Sequence, residues 1–147
     1  MPAKVVCLSP WPEELVRGFF EGRDVEVLFA PDPPAPDAVR ALTEVADLVI
    51  GDMRHKHRLD ESVLRGMRRC RLIQMPSVGF DVVDHRAAAE LKIPVANAAG
   101  YNRDAVADWT LMAMLNLIRR GAYGDRRLRE GVWARAEVQG HELGALT

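Results

Sequence analysis

The sequence predicts an α/β fold with a doubly wound parallel sheet. Five short apolar runs alternate with segments of helical period, and the connectors between them are short. One run, 71–75, stops at Met75-Pro76 and passes through small, turn-prone Ser77-Val78-Gly79 toward a helix start at Asp84. Alternation with short connectors is the pattern of a parallel sheet with helices on both faces. A strand that breaks into a glycine-containing turn before a helix is where such sheets place ligands. Amides freed in that turn favour an anion.

The first strand is Lys4-Val5-Val6-Cys7-Leu8, a continuous apolar run that suits burial on both faces. Ser9-Pro10-Trp11-Pro12 ends it. A helix follows, with Glu13 and Glu14 in its first turn, Leu15, Val16, Phe19 and Phe20 at helical spacing, and Gly22 as its close. The second strand is Val25-Glu26-Val27-Leu28-Phe29, followed by a stiff proline-rich connector over 31–36. Residues 37–46 read as a helix with Val39, Leu42 and Val45 inward, and 47–51 as the third strand. A basic loop, Arg54-His55-Lys56-His57-Arg58, leads to a helix over 61–67 capped by Asp60. Residues 71–75 form strand four, 84–91 helix four, and 93–97 strand five, where Pro94 indicates an edge position or a strand start. Right-handed crossovers then give a flavodoxin-like strand order, 2-1-3-4-5.

After Gly100 the pattern changes, which divides the chain into a substrate-binding domain, 1–100, and a helical extension, 101–147. A long helix to about residue 120, started by Asn102 or Asp104, carries apolar residues nearly all the way round, among them Trp109, Leu111, Met112, Leu115 and Ile118. Such a helix packs on several sides, so it is expected to lie against another domain or a second copy of the chain. Gly121 and Gly124 are expected to break it, a polar helix over 125–130 to follow, and the chain to end without a terminal element.

Composition excludes several classes. The chain has 147 residues, 48% hydrophobic and 28% charged, with a net charge of -1. That balance gives no electrostatic footprint for nucleic acid or an anionic membrane. The N-terminus leads straight into a strand rather than a secretory leader, and the apolar helix carries Asp108 and Asn116, unlike a membrane span. Cys7 and Cys70 read as buried thiols. A cytoplasmic location is expected.

Ser77, Val78 and Gly79 are the first candidates for a site, as amides that hold a carboxylate; an ordinary βα turn is the alternative. Arg54 either adds a charge-assisted contact to the same anion or belongs to a solvated basic loop. His55 and His57, two apart with no carboxylate or thiol grouped beside them, make a poor metal pair. Asn102 either hydrogen-bonds a substrate oxygen or caps its helix. Asp81 and Asp84 are explained by turn and cap chemistry, His85 reads as a helix-surface residue, and His141 has no evident partner. Neither G-x-G-x-x-G nor G-x-x-x-x-G-K-[ST] occurs.

Five segments in order resemble a family. Ser77-Val78-Gly79-Phe80-Asp81-Val82-Val83-Asp84 is similar to its S-[VA]-G-[YF]-D-x-[VI]-D segment, and Ile93-Pro94-Val95-Ala96-Asn97 to its I-P-V-x-N strand. Asn102 with Ala105-Val106-Ala107-Asp108 resembles its N-x-x-[AS]-V-A-[ED] helix start. Leu117-Ile118-Arg119-Arg120 with Gly131-Val132-Trp133 resembles its L-x-R … G-x-W, and Gly140-His141-Glu142-Leu143-Gly144 its G-x-E-L-x-G. The family is the D-isomer-specific 2-hydroxyacid dehydrogenases. The resemblance implies a flavodoxin-like substrate domain, a separate Rossmann domain binding NAD or NADP, a homodimer, and a small 2-oxo or 2-hydroxy acid as substrate. Val78 and Gly79 match the positions whose amides hold the substrate carboxylate. Asn102 matches an asparagine near substrate, and Arg54 a substrate-anion arginine of some members. The family's catalytic arginine, acid and histidine fall beyond Thr147, so no catalytic residue is expected here, NAD or NADP is expected to be bound mainly by the other domain, and no cofactor-binding residue is assigned. The 147 residues alone are expected to be inactive. From another class, the alternative is a non-catalytic flavodoxin-like binding or oligomerisation module. Its receiver-domain variant has Asp52 after strand three but lacks the acidic pair after strand one.

Overall fold

The structure is a computed structural model that describes residues 1–33, 35–142 and 144. Pro34 of the proline-rich connector, Leu143 of the G-x-E-L-x-G segment, and the chain end at 145–147 lie outside the described residues. Two compact units divide at Tyr101 and Asn102.

The first unit is a five-stranded parallel sheet in the order β2-β1-β3-β4-β5, the order expected. Its elements are β1 (Ala3–Cys7), α1 (Glu13–Gly18), β2 (Val25–Phe29), α2 (Pro36–Glu44), β3 (Leu48–Ile50), α3 (Glu61–Gly66), β4 (Ile73–Gln74), α4 (His85–Glu90) and β5 (Val95–Ala96). The register places Val5 beside Val27 and Leu48, and Ile73 beside Val49 and Val95. Side chains alternate across the sheet. Val6 and Leu8 therefore join Val49, Ile73 and Met75 against α2, α3 and α4, while Val5, Cys7 and Ile50 face the other way with Val16 of α1. Both faces of β1 are apolar, which is why its sequence is a run rather than an alternation.

Several boundaries differ from the sequence reading. Helix α1 stops at Gly18, and Gly22, at φ 73°, closes only the turn after it. Phe19 and Leu15 are exposed, so Val16 alone anchors that helix. In α2 the inward position expected of Val45 is taken by Thr43, whose hydroxyl donates to Val39 O at 2.9 Å. The two last strands are short, and β5 with its preceding Pro94 is an edge. Asp60 and Asp84 do cap α3 and α4, accepting from Val63 N and Ala87 N, both at 3.0 Å.

The second unit is a helical hairpin, α5 (Arg103–Ile118) and α6 (Gly121–Arg129). The break between them sits at Arg120, in the left-handed region at φ 53°. Gly121 and Gly124 lie inside α6 instead of ending α5. The Asn116 side chain explains this, because its Oδ1 accepts from Ala122 N at 2.7 Å and caps the new helix from the old one. No residue of α5 is buried. Among the described residues no helix is long and apolar enough to cross a membrane.

The most buried charge is Asp52, at 0% exposure, just after β3. Its Oδ1 accepts from Arg54 N at 2.9 Å; its Oδ2 accepts from Lys56 N at 3.0 Å, His57 N at 3.2 Å and His57 Nδ1 at 2.8 Å. Burial pushes this carboxyl up, but the Arg54 amide, the His57 ring and the other amides outweigh it and hold the group below the usual carboxylate range.

Two outcomes are expected. Asp84→Ala removes the α4 cap and lowers stability by about 1 kcal/mol in urea unfolding; an unchanged midpoint would contradict the cap. Because the folded-state value of Asp52 is depressed, its charge stabilises the fold above the ordinary carboxylate value, and this is lost as pH falls through the lowered one. The stability gap between the wild type and Asp52→Asn therefore shrinks with acidification; a gap constant with pH would be inconsistent with that.

Candidate functional site

The turn after β4 has an unequal hydrogen-bond account. All three of its carbonyls are engaged. Ser77 O accepts from Ala98 N at 3.0 Å, Val78 O from the Asn97 side-chain amide at 2.7 Å, and Gly79 O from Ser77 Oγ at 2.8 Å. The amides of Ser77, Val78 and Gly79 donate to nothing among the described residues. Backbone donors need partners, and here water or a ligand must supply them. Val78 is 40% exposed, so the turn is accessible. A carboxylate, acceptor-only when ionised, fits such a group of donors.

The loop between β3 and α3 stands over this turn. Leu59 N donates to Val82 O at 2.8 Å and Asp84 N to Leu59 O at 3.0 Å, which stitches the two loops together in parallel. Asp52 fixes the loop from beneath. His55 adopts φ 58° and brings Nε2 to 3.3 Å from Ser77 Oγ. With the Ser77 hydroxyl proton given to Gly79 O, the His55 ring nitrogen is the donor in that pair. Gly79 permits this close approach, since a Cβ would come within 2.8 Å of His55 Cε1 and something would have to shift.

Arg54 is paired with carboxylates outside the turn. Its Nη1 donates to Asp32 Oδ2 at 3.0 Å and its Nε lies 3.6 Å from Asp52 Oδ1, and neither contact involves the 77–79 turn. The hydrogen bond from Arg54 holds the Asp32 carboxyl below its usual value. Two other Arg54 donors, Nε and Nη2, are buried without a hydrogen-bond partner. A buried donor left unsatisfied costs about 1–3 kcal/mol, so this guanidinium retains capacity for an acceptor.

Asn102 begins the second unit. It occupies the N-cap position of α5, but its side chain makes no cap bond, so the helix-cap reading is not realised. Asp104 accepts from Arg103 Nε at 3.0 Å instead. His85 packs edge-on against Phe80, with ring centroids 6.0 Å apart. No group of three His, Cys, Asp or Glu residues fit to hold a metal occurs among the described residues.

Sequence reasoning missed two partners. His55 and His57 were weighed as a metal pair, yet one reaches Ser77 and the other Asp52. The strand order 2-1-3-4-5 puts the loops after β3 and β4 side by side, which was the available signal for His55. No local pattern marks the buried Asp52–His57 pair.

The turn after β1 does not fit the phosphates of a dinucleotide. The turn after β1 is Ser9-Pro10-Trp11-Pro12, with no glycine and with two residues that lack an N–H. Ser9 Oγ is already committed, donating to Gly51 O at 2.8 Å and accepting from Met53 N at 3.0 Å.

The chain as a whole has known relatives. The chain is 27% identical over 140 residues to D-3-phosphoglycerate dehydrogenase of Archaeoglobus fulgidus, covering 95% of this chain and 26% of that protein. It is 27% identical over 143 residues to glyoxylate reductase of Thermococcus litoralis, covering 97% and 43%. The NAD-dependent formate dehydrogenase of Staphylococcus aureus, solved in complex with NAD, superposes with a TM-score of 0.74 at 26% identity, covering 95% of this chain and 46% of that one. The chain thus spans less than half the length of these relatives. Residues 5–143 match the D-isomer specific 2-hydroxyacid dehydrogenase, catalytic domain, and the chain belongs to that family.

Proposed function

We propose that this chain is the substrate-holding portion of an enzyme that transfers hydride between NAD(P)H and a small 2-oxo or 2-hydroxy acid. The observation that carries this reading is the run of open amides at Ser77, Val78 and Gly79, whose carbonyls are all held by protein donors. With its oxygens held, the turn can present N–H groups to a carboxylate without rearranging, so binding requires little ordering. His55 sits above the turn and Arg54 carries unpaired donors beside it in sequence, which makes the neighbourhood favourable to negative charge.

The role of this chain is to bind and orient. The carboxylate is fixed by the turn, which leaves the adjacent carbonyl carbon of the acid projecting from a rigid support. That positioning is what turns a chance encounter into a productive one. NAD or NADP, the general acid/base and the polarising cation are supplied by residues outside this chain. Residues 1–100 then form the substrate domain and 101–147 the crossover and dimerisation segment of a cytoplasmic homodimer. The bare apolar surface of α5, with Trp109 at 65% and Leu117 at 79% exposure, supports the homodimer.

Three outcomes test this reading. The purified 147-residue chain does not oxidise NADH with glyoxylate or hydroxypyruvate; turnover would overturn the division of labour. In a protein where the chain is joined to its nucleotide-binding domain, Gly79→Ala, whose Cβ comes within 2.8 Å of His55 Cε1 and must displace the ring or the turn, raises KM for the acid by about tenfold. An unchanged KM would remove the amide turn from the site. Light scattering at micromolar concentration gives a dimer, which Leu115→Asp dissociates; a monomeric wild type would contradict the pairing.

A further inference from the structure

A second cavity, of about 280 Å³, opens on the other side of the Asp52-centred loop, between α2 and α3. Arg40, Lys56, His57, Arg58 and Asp60 supply its polar lining, and Val39 and Val63 its apolar wall. Three of these are cations, and none of the three has a carboxylate within ion-pair distance among the described residues. Arg40 donates only to Ser62 Oγ, at 3.2 Å. The one acid on the rim is occupied. Asp60 accepts from Ser62 Oγ at 2.7 Å and from Val63 N at 3.0 Å, and these bonds hold its carboxyl below the usual range.

His57 gives the independent observation. Its side chain is 1% exposed and its Nδ1 is held by Asp52 at 2.8 Å. Its Nε2 is buried and has no hydrogen-bond partner among the described residues. The Asp52 carboxylate also accepts three backbone amides, so the Nδ1 of His57 must carry a proton and be the donor. A cavity ringed by unpaired cations, with a buried histidine fixed in its wall, favours a ligand that brings negative charge.

We propose that this cavity is a second binding site, for a small oxyanion, gripped by Arg40, Lys56 and Arg58, with His57 in its wall. Phosphate esters and carboxylates share this chemistry. The apolar wall of Val39 and Val63 suits a ligand with a short carbon body. The site stands whether or not the amide turn at 77–79 takes substrate, since no residue is shared between them.

The test is a titration of the isotope-labelled 147-residue chain, following the His57 ring nitrogens by NMR, with inorganic phosphate in one arm, acetate in a second and chloride at matched ionic strength as reference. The expected result is a saturable change in the His57 ring-nitrogen signals beyond the chloride reference. Saturation by phosphate alone assigns a phosphate-bearing ligand, and saturation by acetate assigns a carboxylate. Arg40→Ala and Lys56→Ala, both at exposed positions, each weaken the binding by roughly tenfold, as loss of one charge-assisted contact implies. No shift beyond the chloride reference in either arm overturns the site, and so does a shift that both variants retain at full strength.

Discussion

A peptide unit has one donor and one acceptor, and the βα turn at Ser77-Val78-Gly79 separates the two. Ala98 N, the Asn97 side chain and Ser77 Oγ take its three carbonyls, while its three amides stay open. The rest of the first unit can be understood as holding that arrangement in place. Strand β4 delivers the turn at the sheet's C-terminal edge, where open parallel sheets bind ligands. Strand β5 runs on into Asn97 and Ala98, the residues that occupy two of the carbonyls. Asp84 then starts α4 by capping Ala87 N.

The loop above the turn depends on one buried carboxylate. Asp52 lies at 0% exposure and satisfies four donors from three residues. Burying a charge is tolerable only when its hydrogen bonds are made, and here they fold the chain tightly enough to put His55 at φ 58°. One side of the loop thereby reaches Ser77, and the other lines the cationic cavity. A single acid organises two separate polar surfaces, which explains why a carboxylate sits in an otherwise apolar strand end.

Much of this architecture was legible in the sequence. The five apolar runs gave the strands, their order and the edge position of β5, because burial on both faces of a parallel sheet leaves little room for polar residues. The caps at Asp60 and Asp84 and the turn at 77–79 were legible for the same local reasons. What could not be read depends on tertiary geometry. Arg54 was expected free or on the anion, but Asp32, 22 residues earlier, holds its Nη1. The break after α5 was assigned to Gly121 and Gly124, yet Asn116 caps the next helix and lets Arg120 carry the left-handed turn. The Asp52–His57 pair had no signature, since two residues five apart in a loop meet only through the way that loop folds.

The account stands or falls on the open amides being a carboxylate seat. The direct measurement is the backbone amide spectrum of the labelled chain titrated with glyoxylate. The account predicts saturable downfield shifts of the Ser77, Val78 and Gly79 amide protons, with helix α1 unmoved. Shifts scattered over the basic residues without those three, or no saturable change at all, would contradict it.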